Sequence, residues 1–247
     1  MKNFWKVVND VINNADVIIL VLDARMVDET RNTEIEWKVR KQGKPLIYAV
    51  NKCDLMDKDV VEKSIRHLNP AVFVSAKEHL GTTLLRQRIL IEAKRIGKGD
   101  KVYVGVLGYP NVGKSSLINS LKGRSVASTS VLSGHTKGIM KVKMDNKIML
   151  LDTPGVIPYK EKEEFKHSVI GTIDFTKEKD PDMVVMQLMK EYPGKIEKYY
   201  KVEPKEDPEE VIEEIAKKSN VLKRGGIPDL SRMARMILKD WQKGEIK

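Results

Sequence analysis

The sequence predicts an α/β fold, a mostly parallel sheet with helices on both faces, followed by a small all-helical domain. Three observations carry this. Short apolar runs alternate with helix-periodic segments from Val17 to Asp152, the pattern of strand–helix–strand units. Gly108-Tyr109-Pro110-Asn111-Val112-Gly113-Lys114-Ser115 matches G-x-x-x-x-G-K-[ST], between a strand-like run and a helix-like run. From about Thr176 onward no strand pattern recurs and helical spacing takes over.

Taken in order, Phe4, Trp5, Val7, Val8, Val11 and Ile12 recur at helical spacing, which predicts an amphipathic helix over residues 2–14. The run from Asp16 to Asp23 is almost wholly apolar, as in a strand buried on both faces. A helix follows near Thr33 to Gln42, then a strand from Pro45 to Asn51. Another helix is expected over Asp59 to Leu68, a third strand over Ala71 to Ser75 and a long helix over Thr82 to Ile96. Gly97 to Lys101 reads as a short flexible join. The strand at 101–107 leads into the glycine loop and a helix to Leu121. Residues 122–138, rich in Gly, Ser and Thr, read as a mobile loop. Met140 to Met144 and Lys147 to Asp152 read as paired strands across Asp145-Asn146, and Lys160 to Asp174 as a helix leaning on the sheet. The trailing helices are expected over Asp182 to Glu191, Lys195 to Tyr200, Pro208 to Lys218 and Leu230 to Lys243, the last with Asp229 as N-cap. The expected domains are residues 1–175 and 176–247.

The chain has 247 residues, enough for one large or two modest domains. No apolar run approaches the ~18 residues of a membrane span, and the N-terminal stretch lacks the apolar core of a secretory signal. A single cysteine, Cys53, excludes a disulfide framework and an all-cysteine metal site within one chain. The expectation is a cytoplasmic protein without membrane association. A net charge of +10 favours a polyanionic partner, RNA or DNA before membrane. Nine Lys/Arg stand against three Asp/Glu from Ile215 to Lys247, with Lys223, Arg224, Arg232 and Arg235 the candidate RNA contacts.

The chemistry sits at strand ends, where open α/β sheets bind ligands. In the glycine loop, backbone N–H groups from Asn111, Val112, Gly113, Lys114, Ser115 and Ser116 are placed to surround phosphates, and the helix N-terminus favours negative charge. Lys114 would reach the β/γ-phosphates and Ser115 would ligate Mg²⁺. Asn51-Lys52-Cys53-Asp54 fits N-K-x-D. A carboxylate at Asp54 can accept from guanine N1–H and the 2-amino group, which adenine does not offer, so the pattern points to guanine. Asn51 would brace this loop, and the aliphatic stem of Lys52 would cover the base face. Ser75-Ala76-Lys77 fits the short loop that supports guanine O6 through the Ala76 N–H. Asp152-Thr153-Pro154-Gly155 fits D-x-x-G, with Asp152 holding Mg²⁺ through water and the Gly155 N–H meeting the γ-phosphate. Thr136 is the candidate to close on Mg²⁺ when GTP is bound. His67, His79 and His167 belong to no constellation.

The order of these motifs is informative. The translational-type GTPases run P-loop, switch Thr, D-x-x-G, N-K-x-D, S-A-K, whereas this chain runs N-K-x-D, S-A-K, P-loop, Thr136, D-x-x-G. That is a circular permutation, with Gly97 to Lys101 joining the former termini. On Asp23-Ala24-Arg25, NKCDL, SAK, GYPNVGKSS, HTKG and DTPGV, the chain resembles the circularly permuted ribosome-assembly GTPases of the YlqF/YawG (RbgA-like) family. Tyr192-Pro193 and Gly225-Gly226 in the trailing helical segment resemble that family's C-terminal domain.

The resemblance implies a permuted P-loop GTPase fold and GTP hydrolysis to GDP, slow alone and stimulated by a ribosomal partner. It implies that a monomer binds a maturing ribosomal subunit, the large one favoured, with residues 176–247 on rRNA. Asn111 resembles the asparagine that holds K⁺ in potassium-dependent GTPases, and Val156 stands where many GTPases carry a water-orienting glutamine. RbgA-like members carry a catalytic histidine in an N-terminal Pro-Gly-His-Met segment that this sequence lacks. His135, beside Thr136, is the nearest substitute, and a solvated loop histidine is its plainer reading. Two alternatives stay open: a GTP-gated RNA-binding scaffold with incidental hydrolysis, and a GTPase acting on the small subunit or another RNA.

Overall fold

The computed structural model describes residues 2–57, 59, 62–63, 65–122, 140–152, 175, 178 and 180–246. The chain divides into two compact units, residues 1–160 and 161–247. The expected helices over Asp59 to Leu68 and Lys160 to Asp174 lie partly or wholly outside the described residues, as does the expected mobile loop beyond residue 122.

The first unit is built on a six-stranded sheet in the order β3-β2-β1-β4-β6-β5. Its strands are β1 (Val17–Asp23), β2 (Leu46–Asn51), β3 (Ala71–Phe73), β4 (Val102–Leu107), β5 (Met140–Lys143) and β6 (Ile148–Asp152). All pairings are parallel except β5 with β6, the hairpin expected across Asp145-Asn146. The central strands explain their sequences. Every residue of β1 is buried, as a strand covered on both faces requires. The third strand is shorter than its apolar run, because Ser75 leaves the ladder to pair with Leu80 through two backbone hydrogen bonds.

The helices of this unit are α1 (Lys2–Asn14), α2 (Thr33–Lys41), α3 (Thr82–Arg95) and α4 (Lys114–Leu121). Val8, Val11 and Ile12 of α1 are buried in the core beside β1. The end of α1 leaves carbonyls without helical partners. Lys44 satisfies them, its Nζ donating to Ile12 O, to Asn13 O at 3.0 Å and to Ala15 O at 2.6 Å. The join that the permutation creates is anchored at the same corner. Asp16 accepts from Tyr103 N at 2.9 Å and pairs with Lys98 at 3.0 Å.

The second unit contains α5 (Pro181–Glu191), α6 (Lys195–Tyr200), α7 (Pro208–Lys218) and α8 (Leu230–Lys243), and no strand among the described residues. Proline opens α5 and α7 at the first helical position, where its missing N–H costs nothing. Asp207 and Asp229 cap α7 and α8 through Glu209 N and Arg232 N. Met233, Ala234, Ile237, Leu238 and Trp241 form one buried stripe of α8 at helical spacing. Trp241 is fully buried and tilted against Tyr192, ring centroids 5.0 Å apart. Tyr200 donates to Asp240 at 2.7 Å, tying α6 to α8.

Candidate nucleotide-binding site

Parallel strands place their carboxyl ends on one edge of the sheet. In the order found here that edge collects Asp23 from β1, Asn51 from β2, the loop after β3, the glycine loop after β4 and Asp152 at the end of β6. Segments far apart in the chain thus become neighbours.

The glycine loop has the geometry its motif needs. Gly108 has φ +147°, and a Cβ there would lie 2.6 Å from Val21 O. Gly113 has φ +93°, and a Cβ there would lie 2.3 Å from Asn51 Nδ2. Both sites exclude any side chain, by strain and by space. Asn111 adopts φ +60°, a conformation that asparagine tolerates, and is exposed. Gly113 is the N-cap of α4, so the helix begins at Lys114, with Ser115 and Ser116 exposed in its first turn. Lys114 is buried and turned inward, its Nζ donating to Gly108 O at 2.9 Å and Tyr109 O at 2.6 Å. Burial pulls its ammonium down to about 8, while the charge of Asp152 opposes that shift.

Asn51 links the two halves of the site. It is 2% exposed. Its Nδ2 donates to Val112 O in the glycine loop at 2.8 Å, and its Oδ1 accepts from Ala76 N at 3.0 Å. One amide therefore holds the phosphate-side loop and the Ser75-Ala76-Lys77 loop in fixed relation. Ser75 is fully buried and accepts from Glu78 N at 3.1 Å, shaping that loop, while Lys77 is exposed. Asp54 sits half-buried in a short 3₁₀ turn, Cys53–Leu55. The half-buried Cys53 has its thiol pushed up by burial and donates its N–H to Val74 O, which makes it a packing residue.

Sequence reasoning gave no role to one cluster. Asp23 ends β1 opposite Asn51 in the β1–β2 register. Its carboxylate takes a two-pronged bond from Arg25, Nε to Oδ1 at 3.0 Å and Nη2 to Oδ2 at 2.8 Å. Lys52 Nζ reaches the same Oδ2 at 2.9 Å. The signal was present in the sequence: a lone carboxylate closes an otherwise apolar strand, next to a strand that ends in a motif lysine. Thr136, His135, Gly155 and Val156 lie outside the described residues.

The cradle around the glycine loop fits a nucleotide and its magnesium ion. Lys114 is a cation held within the loop, Asp152 lies close enough to act on its charge, and Ser115 and Asp152 carry the hard oxygen donors that Mg²⁺ prefers. A strand–loop–helix phosphate cradle at the carboxyl edge of this sheet, reached in permuted motif order, defines a P-loop nucleotide-binding protein of the GTPase type.

Comparison with known proteins carries this further. Residues 103–223 match the family model described as 50S ribosome-binding GTPase. An uncharacterised GTP-binding protein of Methanocaldococcus jannaschii is 40% identical over 98% of this chain and 65% of its own length. Nucleolar GTP-binding protein 2 of Yarrowia lipolytica is 33% identical over 99% of this chain and 50% of its own. The chain thus spans about half to two thirds of the length of these curated relatives. YlqF of T. maritima, solved with GDP, has the same fold at TM-score 0.68 and 21% identity, covering 96% of this chain and 94% of that one. The chain thus has the circularly permuted GTPase fold of YlqF and is similar along almost its whole length to curated GTP-binding proteins.

Proposed function

We propose that this protein binds and hydrolyses GTP and acts on a maturing ribosomal subunit, the large one, through rRNA. Residues 1–175 form the GTP-binding domain in this reading, and residues 176–247 the RNA-facing helical domain. The observation that carries the reading is Asn51, bonded at once to the glycine loop and to the Ala76 loop. It couples a phosphate cradle to a base pocket at one sheet edge.

The residues divide the work. Asp54 accepts from the guanine N1–H and 2-amino group, Lys52 lies along the base, and the Ala76 N–H supports O6. Lys114 leaves its loop carbonyls for the β/γ-phosphates, exchanging two neutral acceptors for charged ones. Ser115, Asp152 and Thr136 hold Mg²⁺, and Asn111 holds K⁺. When bound, these cations neutralise charge developing on the transferred phosphoryl group. The Gly155 N–H meets the γ-phosphate, and Asp152 to Gly155 then leads toward the helical domain, so loss of that phosphate biases its position. His135 is the candidate for a catalytic proton carrier.

Lys223, Arg224 and Arg232 are exposed in the second unit. Arg235 is turned inward, bonded to Ser231 Oγ at 2.6 Å and Glu178 O at 3.3 Å. The first three are therefore the better RNA contacts. Sedimentation with purified large and small subunits, with a non-hydrolysable GTP analogue or GDP, tests the reading. Co-sedimentation with the large subunit in the analogue state supports it, and binding to the small subunit alone overturns the choice of partner. Single-turnover hydrolysis with and without subunits separates a coupled enzyme from a GTP-gated scaffold, whose rate subunits leave unchanged.

A further inference from the structure

We propose that Asp23, braced by Arg25, is a positioning residue that clamps Lys52 so that its stem lies in one fixed track beside the guanine base. The inference rests on the guanine-site reading above and adds to it a pair of residues that touch no nucleotide.

Lys52 is held in an unusual backbone conformation. It sits at φ +62°, in the left-handed region that strains a non-glycine residue. Its neighbours allow little relaxation. Asn51 before it is held at both ends of its amide. Cys53 after it donates to Val74 O. Ala24 N donates to Asn51 O at 2.8 Å, fastening the Asp23–Arg25 segment to the same turn. The backbone is thus fixed, but a lysine side chain on it retains four rotatable bonds and the rotamer entropy that goes with them. A flexible stem makes a poor platform for a planar base.

The far end of that stem is fixed by Asp23. Side-chain exposure is 3% for Asp23, 3% for Arg25 and 18% for Lys52. Arg25 supplies three bonds to the carboxylate, from N and Nε to Oδ1 and from Nη2 to Oδ2. Those bonds set the plane of the carboxylate. Asp23 N donates to the fully buried Thr30 Oγ1 at 3.0 Å, which holds the backbone beneath it. The Oδ2 atom, placed in this way, receives Lys52 Nζ at 2.9 Å. Burial opposes ionisation of Asp23, and the two cations overcome it, holding the carboxyl at about 2. Burial pulls the Lys52 ammonium below its ordinary value, and the same carboxylate opposes that.

In a buried ion cluster of this kind desolvation offsets much of the attraction. What it does supply is direction. It fixes both ends of Lys52 before any nucleotide arrives, and such preorganisation lowers the cost of binding. The clamp acts on the base side, so it serves GDP and GTP alike.

The test uses the full chain and titration calorimetry with GDP and with a non-hydrolysable GTP analogue. Asp23→Asn keeps shape and removes the charge; Lys52→Met keeps the stem and removes the ammonium. Each is expected to weaken both nucleotides by the same factor, about tenfold. The double variant is expected to be no weaker than either single one, since both break one link. Lys52→Arg, which keeps a cation for Asp23, is expected to recover most of the affinity. Circular dichroism melts keep folding separate from binding. If the two losses multiply, or if Asp23→Asn lowers the melting temperature and leaves GDP affinity intact, the clamp is refuted and Asp23 is structural. If the unaltered protein binds ADP as well as GDP, the guanine-site reading fails instead.

Discussion

Replacing Gly113 by alanine tests the junction between the two halves of the site. The new Cβ would stand 2.3 Å from Asn51 Nδ2, at a residue with φ +93°. Backbone strain costs about 1–2 kcal/mol. The contact itself forces the Asn51 amide off Val112 O and Ala76 N, and each buried hydrogen bond lost costs about 1–1.5 kcal/mol. Gly113→Ala alone should therefore destabilise by about 3–5 kcal/mol. Asn51→Ala alone loses the same two hydrogen bonds and should cost about 2–4 kcal/mol. In the double variant the clash has no partner, so Gly113→Ala adds only the strain. Equilibrium urea unfolding of the four proteins without nucleotide, followed by circular dichroism, measures the cycle. The double variant should be about 2 kcal/mol more stable than the sum of the singles. Additivity within ~0.5 kcal/mol would mean that Asn51 and Gly113 are not in contact. The two loops would then not form a single linked site.

Other outcomes follow from the same geometry. Lys114→Ala should abolish single-turnover GTP hydrolysis, and retained activity would remove the glycine loop from the mechanism. Asp54→Asn should weaken GTP and admit xanthosine triphosphate in competition binding, whereas an unchanged guanine preference would contradict the base assignment. Asp23 carries a pH signature. Its folded value of about 2 lies below the ordinary 3.8, so its contribution is fully present above pH 3.8 and is lost as pH falls toward 2. At ~1.4 kcal/mol per pH unit that contribution is about 2 kcal/mol. The stability gap between the unaltered protein and Asp23→Asn should close by that amount over this window, and a constant gap would refute the ion-pair assignment. Exchanging K⁺ for Na⁺ should slow hydrolysis if Asn111 ligates the ion, and equal rates would dismiss it.

Much of the fold was legible in the chain because its signals are local. The period-2 and period-3.6 patterns named the strands and helices to within a residue or two at most ends, and Asp229 was readable as a cap three residues before Arg232 N. The third strand was overextended from sequence. Val74 is apolar, and both Val74 and Ser75 are fully buried like strand residues, yet Ser75 turns to bond Leu80, a tertiary choice that no pattern encodes. The motif runs were legible as runs for a related reason, since each is contiguous with its own strand context.

By itself, then, the sequence determined which loops carry chemistry and in what order, because glycine spacing and motif carboxylates act over a few residues. Only the tertiary structure decided how those loops meet. Asn51 and Val112 are far apart in the chain, and so are Asp23 and Lys52. They become partners because parallel strands bring their carboxyl ends to one edge, where a buried amide and a buried carboxylate must find polar groups or be costly to keep. That same edge gave the Asp23-Ala24-Arg25 segment, a recognisable string without a stated role in the sequence, its place beside Lys52.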